Sequence, residues 1–287
     1  MKQVKKAVIL TAGLGTRFLP MTKAIPKAML PILNKPVIQY LVEEAIASGI
    51  KEIIIVAGFG KRAIEEHFDR SYELEHELRT RGKLKLLADL RKLEKQARIV
   101  YVHQEDALGD GHAILCAEKL IANEPFAVLF GDDIIDAKIP ALKQLMEVYK
   151  KTESPVICVE KVSKKDMSSY GVIGIESQKD RTIKVKSLVE KPSPKKAPSN
   201  FGIIGKYICT PEILKALKKS KSGHKDGEIR LIDGLRTYLN AKKPIYALEI
   251  EGERFDTGNQ LGLLKANLHF AIKDKSTKES LKEMLDN

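Results

Sequence analysis

The segment Gly13-Leu14-Gly15-Thr16-Arg17 follows directly on the apolar run Ala7–Leu10, and Pro20, Lys23, Pro26, Lys27 and Pro31 come next. Glycines let a backbone approach a ligand closely, and the cations imply that the ligand is an anion. A phosphate-binding loop is therefore the first expectation. The GxxxxGK[ST] loop is absent, because Gly58-Phe59-Gly60-Lys61-Arg62 is too short and lacks the hydroxyl residue. The dinucleotide pattern GxGxxG fails as well, since Phe18 stands at the third glycine. The observed pattern is Gly13-x-Gly15-Thr16-Arg17-x-x-Pro20-x-Thr22-x-x-x-Pro26-Lys27. Its prolines stiffen the loop, so Arg17 and Lys27 are held at little further entropic cost.

The chemistry such a loop can serve is narrowed by what accompanies it. Lys+Arg number 50 against 38 Asp+Glu, a net charge of +12, which favours anionic partners. No run of five like charges marks a nucleic-acid tail, and tryptophan is absent, so nucleic acid is not the expected partner. Cys116, Cys158 and Cys209 lie far apart with no CxxC spacing, which gives neither a disulfide framework nor a zinc site, and they read as core. No Ser-His-Asp or Cys-His arrangement can be placed. The apolar run near Met1 is only four residues long and reads as a strand, not a signal peptide. No apolar run approaches the ~20 residues that span a bilayer. No membrane partner and a cytoplasmic location are expected.

The elements that must carry the loop alternate through the first half. Strands are predicted at Lys6–Thr11, Glu52–Ala57, Arg98–His103 and Phe126–Phe130. Helices are predicted at Pro36–Ser48, Lys61–Phe68, Gly111–Leu120 and Pro140–Lys150. That alternation implies an α/β fold with a doubly wound, mostly parallel sheet that binds ligands at the strand C-termini. Strands then dominate: Pro155–Glu160, Gly171–Glu176, Thr182–Glu190 and Gly202–Ile208 read as a mixed extension laid over the first sheet. Helices return at Pro211–Lys219, at Ile229–Leu239 and from Gln260 to the C-terminus. The charged stretch Glu73–Lys95 reads as a helical flap inserted between two strands, which could also rest on a partner subunit. Apolar residues make up 43% of the 287, enough for a sizeable core.

The loop resembles the signature of the sugar-1-phosphate nucleotidyltransferases, the NDP-sugar pyrophosphorylases, and four further stretches match in order. These are Gln104-x-x-x-x-Gly109-x-Gly111-His112-Ala113, Phe130-Gly131-Asp132-Asp133, Tyr170-Gly171 with Glu190-Lys191-Pro192, and Arg254-Phe255-Asp256-Thr257-Gly258. Together they cover nearly the whole chain. The Gly-His-Ala form, the Pro-Lys-Ala-Met-Leu-Pro form of the loop and the insertion at 73–95 are most similar to the bacterial branch that acts on UTP and glucose 1-phosphate.

The resemblance implies a Rossmann-like nucleotidyltransferase domain over 1–287. Residues 1–150 would be a nucleotide-binding half, 151–257 a sugar-binding half, and 258–287 C-terminal helices. It implies transfer of a uridylyl group from UTP to α-D-glucose 1-phosphate, with UDP-glucose and pyrophosphate as products. A thymidylyl or cytidylyl transferase, or a non-catalytic nucleotide-sugar sensor, are the alternatives. The attacking phosphate is already ionised near pH 7, so positioning and charge neutralisation suffice. Arg17 would clamp the departing phosphates, Lys27 neutralise the α-phosphate and Lys191 hold the sugar phosphate. Ala12, Gly13, Gly15, Thr16, Gln104 and Gly109 would form the nucleotide site, with the Gln104 amide facing uracil through both a donor and an acceptor. Glu190, Gly171, Gly202 and Ile203 would line the sugar. Asp132 and Asp256 would hold Mg²⁺, with Asp133 as the alternative to Asp132. His112 reads as a helix-start structural residue. A homodimer or homotetramer is the expected assembly.

Overall fold

The computed structural model describes residues 2–58, 60–94, 97–220 and 227–286. Its strands are β1 (Lys6–Leu10), β2 (Pro31–Ile32), β3 (Lys35–Pro36), β4 (Glu52–Gly58), β5 (Arg98–Gln104), β6 (Phe126–Phe130) and β7 (Asp133–Asp136). They continue with β8 (Val156–Lys161), β9 (Gly171–Lys179), β10 (Thr182–Glu190), β11 (Phe201–Cys209), β12 (Tyr246–Glu249) and β13 (Glu253–Asp256). The helices are α1 (Val37–Ala47), α2 (Arg62–Phe68), α3 (Tyr72–Thr80), α4 (Leu84–Glu94), α5 (Asp110–Cys116) and α6 (Glu118–Ile121). Beyond them lie α7 (Ala141–Thr152), α8 (Pro211–Lys219), α9 (Leu231–Asn240), α10 (Gln260–Lys273) and α11 (Lys278–Asp286).

A nine-stranded mixed sheet runs in the order β5-β4-β1-β6-β11-β8-β12-β10-β9. The first four strands are parallel, as the helix alternation predicts. From there the expectation is corrected. The later strands are not laid over the first sheet but continue it, and β11 pairs antiparallel with β6 and with β8. β8–β12 is parallel, whereas β12–β10 and β10–β9 are antiparallel. A central strand buried on both faces is a continuous apolar run whichever way its neighbours point, so its direction was not legible.

Strand pleating divides the core. Val8, Leu10, Ile54 and Val56 face α5, α8 and α9, while Ala7, Ile9, Ile53 and Ile55 face α1, α2 and α7. Each buried Val, Leu or Ile side chain there stabilises the fold by about 1.5–3 kcal/mol. A third cluster, Ile32, Val37, Ile134, Phe255 and Ala266, seats α10, whose N-cap Asn259 accepts a hydrogen bond from Gly262 N.

Five short strands escaped the pattern. Of these, β7 and β13 form a separate antiparallel ribbon that carries Asp133 and Asp256 in register. The insertion is two helices, α3 and α4, broken after Thr80, with Glu75 buried between Arg70 and Arg91. Lys95, the last residue of the predicted flap, lies outside the described residues. The helix predicted over Gly111–Leu120 divides into α5 and α6, and the C-terminal helix into α10 and α11. Among the described residues no helix is long and apolar enough to cross a membrane.

Candidate active site

The carboxyl ends of β1 and β6 and the end of β13 converge on one cleft with two adjoining compartments. The smaller, about 240 Å³, is lined by Ala12, Gly13, Lys27, Gln104 and Gly109. The larger, about 370 Å³, is lined by Arg17, Gly171, Glu190, Lys191, Ile203 and Asp256 among others. Asp110, Phe130, Asp132 and Glu228 line both. Gly15 and Thr16 do not reach the lining; Gly15 is the left-handed residue (φ +69°) that turns the loop into its first 3₁₀ turn. Gly202 is also off the lining. A Cβ there would stand 2.8 Å from Val162 Cγ1 and 3.3 Å from the Tyr170 ring, so it seats Tyr170 while Ile203 and Gly205 face the cleft.

Asp132 and Asp133 are adjacent in the sequence and part company in space. Asp133 is buried. Its carboxylate accepts from Gly205 N (2.6 Å), Arg254 Nε (2.6 Å) and Arg254 Nη2 (3.2 Å). Arg254 in turn donates to Glu160 (2.6 Å) and the Tyr170 hydroxyl (3.2 Å), and the fully buried Lys206 bonds Asp133 O (2.9 Å) and Glu44 (2.8 Å). Every oxygen of Asp133 is occupied by the fold. Asp132 instead faces the cleft, where Lys27 Nζ lies 2.5 Å from its Oδ2.

The main chain brings Asp256 to Asp132. Thr257 donates to Asp132 O through both its N and its Oγ1, each at 2.8 Å. A Cβ on Gly258 would fall 2.5 Å from Asp132 Oδ2 and 2.9 Å from Asp256 Oδ1. Only glycine leaves this space open between two carboxylates. Oxygen donors around a gap of this kind fit a hard divalent cation that keeps substrate or water ligands. Among the described residues no cluster of three or more His, Cys, Asp or Glu could hold a metal without such outside ligands.

The segment around Gly109 is tied to the other half of the chain. Ile229 N donates to Leu108 O (2.8 Å), Gly111 N to Ile229 O (2.9 Å) and Leu231 N to Asp110 Oδ1 (2.6 Å). Gly109 sits inside this zipper at φ +97°, where a Cβ would be 2.5 Å from Ile229 O. Gln104 is buried, and its Nε2 donates to Gly109 O (3.0 Å) and meets His112 Nδ1 (3.0 Å). Both amide hydrogens are thereby engaged, so Oε1 is the atom left with capacity for a ligand. This narrows the sequence expectation of a donor and an acceptor to an acceptor alone. Gln104→Glu would set carboxylate oxygens against Gly109 O and the His112 lone pair. For the substrates that the resemblance implies, the KM for the nucleoside triphosphate should rise at least tenfold while the KM for the sugar phosphate changes about twofold or less. Equal losses in initial-rate measurements would make Gln104 purely structural.

In the larger compartment, Lys191 has φ +43°, a conformation that costs a non-glycine residue of order 1 kcal/mol and persists only where its surroundings enforce it. Its N–H donates to Tyr170 O (3.0 Å), and its Nζ lies 3.9 Å from Glu190. Arg230 Nη1 lies 3.8 Å from the same carboxylate.

Sequence reasoning missed Asp110, Glu228 and Arg230. The only available signal was a lone acid between Gly109 and Gly111. Desolvation raises the Asp110 carboxyl to about 6, with Leu231 N–H and Arg230 opposing and Glu190 and Glu228 assisting. An acid whose pKa is raised by folding destabilises the folded state once the pH exceeds that value, and no longer does so below its unfolded value. Asp110→Asn keeps the acceptor for Leu231 N and removes the charge. It should raise Tm by a few degrees at pH 7.5 and by nothing near pH 4, as read by thermal melts at the two pH values.

The fold and this cleft define a nucleotidyltransferase. The nucleotidyl transferase family model matches residues 6–272, and the chain belongs to that family. A UTP–glucose-1-phosphate uridylyltransferase from Bacillus subtilis is 48% identical over 98% of this chain and 96% of its own length. One from Staphylococcus haemolyticus is 50% identical over 98% and 97%. Among solved structures, a UDP-glucose pyrophosphorylase complexed with UDP-glucose superposes with a TM-score of 0.85 at 40% identity, covering 95% of this chain and 100% of that one. The UTP-bound enzyme from Acinetobacter baumannii superposes with a TM-score of 0.91 at 34% identity, covering 99% of both chains.

Proposed function

We propose that this cleft transfers the uridylyl group of UTP to α-D-glucose 1-phosphate, releasing pyrophosphate and UDP-glucose. The observation that carries the reading is the joining of two compartments at Asp132, with Lys27 on one side and Arg17 and Lys191 on the other. The chain is an enzyme of the family whose relatives carry that activity in their names. Residues 1–150 serve as the nucleotide half, doubly wound in the Rossmann manner. Residues 151–257 serve as the sugar half and 258–287 as the C-terminal helices.

The nucleotide lies over Ala12 and Gly13, with uracil N3–H donating to Gln104 Oε1. Arg17 binds oxygens of the departing β- and γ-phosphates, and Lys27 balances charge at the α-phosphate. Lys191 holds the sugar phosphate against Glu190, which accepts from sugar hydroxyls. Asp132 and Asp256 would hold Mg²⁺. When bound there, the ion supplies neutralisation of the phosphate oxygens. A phosphate oxygen of glucose 1-phosphate forms the new bond to the α-phosphorus. The bond to the β-phosphate oxygen breaks, and pyrophosphate leaves with that electron pair.

No residue needs to act as nucleophile. Burial raises the Cys158 and Cys209 thiols far above neutrality, and it raises the half-buried Cys116 as well. Lines of initial rate against the two substrates should therefore intersect. Isolation of a uridylylated enzyme after mixing with UTP alone would overturn direct displacement. The substrate reading is tested by pyrophosphate release from UTP, dTTP, CTP, ATP and GTP with glucose, galactose and N-acetylglucosamine 1-phosphates. UTP with glucose 1-phosphate should be fastest, and a faster dTTP or CTP would replace the uridylyl reading. The chain also presents Leu261, Leu264, Leu268 and Ile272 outward along one side of α10. This stripe supports assembly with a second copy, as a homodimer or homotetramer, which sedimentation would read.

A further inference from the structure

Lys61 stands at the N-terminus of α2, outside the lining of both compartments, yet its ammonium is bonded to the nucleotide loop. Nζ donates to Thr11 O and to Gly13 O, the latter at 2.7 Å. Thr11 itself is anchored to β4, since both its N (2.8 Å) and its Oγ1 (3.0 Å) donate to Val56 O. Val56 of β4 and Lys61 at the head of α2 therefore hold the start of the loop together.

This grip has a geometric consequence. In a trans peptide the carbonyl and the next N–H point in opposite directions. Drawing the Thr11 and Gly13 carbonyls toward Lys61 turns the Ala12 and Leu14 N–H groups the other way, and Ala12 and Gly13 line the nucleotide compartment. Two amide donors facing one side make a concave site for an anion. We infer that Lys61 is a positioning residue for the nucleoside triphosphate, setting the loop's amides through its two carbonyl contacts without touching the substrate.

The local electrostatics agree. Burial, aided by Lys27, lowers Lys61 to about 8, so its charge is kept at a cost. A chain that needed only a filler between α2 and the loop would do as well with an apolar side chain. Gly58 reinforces the contact: a Cβ there would stand 3.0 Å from Ala12 O and 3.6 Å from Lys61 Cε.

The inference rests on the reading of this loop as the nucleotide site, so the experiment separates the two. Wild type, Lys61→Met and Lys61→Gln are compared by calorimetric titration with whichever nucleoside triphosphate wild type binds best, and by KM for the sugar phosphate. Met keeps the stem and loses the donor; Gln keeps a single short donor. Nucleotide affinity should fall at least tenfold in Lys61→Met and less in Lys61→Gln. KM for the sugar phosphate should stay within about twofold and Tm within a few degrees. Unchanged nucleotide affinity, or equal losses for both substrates, would overturn the inference. Should the Met variant fail to fold, the Gln variant carries the same two outcomes. If wild type prefers dTTP or CTP over UTP, the uridylyl reading fails while the Lys61 comparison still decides.

Discussion

Asp132→Asn should lower turnover about a thousandfold or more while circular dichroism and Tm stay near those of the wild type, and Asp133→Asn should do the opposite. Among the described residues the Asp132 carboxylate has one hydrogen-bond partner, Lys27, and otherwise faces the cleft beside Asp256. Removing its charge leaves the core untouched but weakens the balance of phosphate charge, where single preorganised groups are worth about 10²–10³ in rate. Stripping divalent cations with EDTA should reproduce the loss, and full activity after that treatment would remove the metal from the reading. Asp133 has no free oxygen. Its amide variant places an NH₂ group against Gly205 N or Arg254 and leaves a buried guanidinium with only Glu160 and Tyr170. Breaking a buried pair costs about 3–5 kcal/mol, enough to lower Tm by roughly 10 °C in a chain of this size. If the two variants behave alike, the division of labour between these neighbours is wrong.

Lys27→Met should reduce kcat/KM by about 10³, and Arg17→Lys by about 10². The two residues enter the cleft from one loop but are held differently. Lys27 is only 20% exposed and ion-paired to Asp132, so its ammonium is already fixed where the two compartments meet. Arg17 is exposed, and among the described residues its guanidinium has a single long contact, 3.5 Å from Nη1 to Gly258 O, which leaves the fork free to take two oxygens of an anion. A lysine in its place offers a point charge on a flexible stem and cannot reproduce a bidentate grip. The loss at Arg17 should be larger for UTP and pyrophosphate than for glucose 1-phosphate. Initial rates in both directions of the reaction measure this. A near-normal Arg17→Lys enzyme would move pyrophosphate binding elsewhere in the cleft.

Residue types and spacing alone were sufficient for a good part of this protein. The order of the five stretches, from the glycine–cation loop after β1 onward, identified the nucleotidyl transferase family. The run EIIIVA and the spacing of Val37, Ile38, Leu41, Val42 and Ala45 specified β4 and α1, because buried parallel strands and amphipathic helices have periods that local sequence carries. Other features depended on contacts between residues far apart in the chain. The antiparallel entry of β11 beside β6 has no local signature, since a strand covered on both faces is apolar in either direction. Short strands such as β7 and β13 hold too few residues for a period, yet their pairing carries Asp256 to Asp132. Neighbouring aspartates of the same type were separated into one cleft-facing carboxylate and one locked in an ion network by Gly205, Lys206 and Arg254, from more than 70 positions away. Asp110 and Lys61 were ordinary charged residues until the fold enclosed one and set the other under two carbonyls. Periodicity reports which face of an element is buried; what a charged side chain meets there is decided only when distant segments close around it.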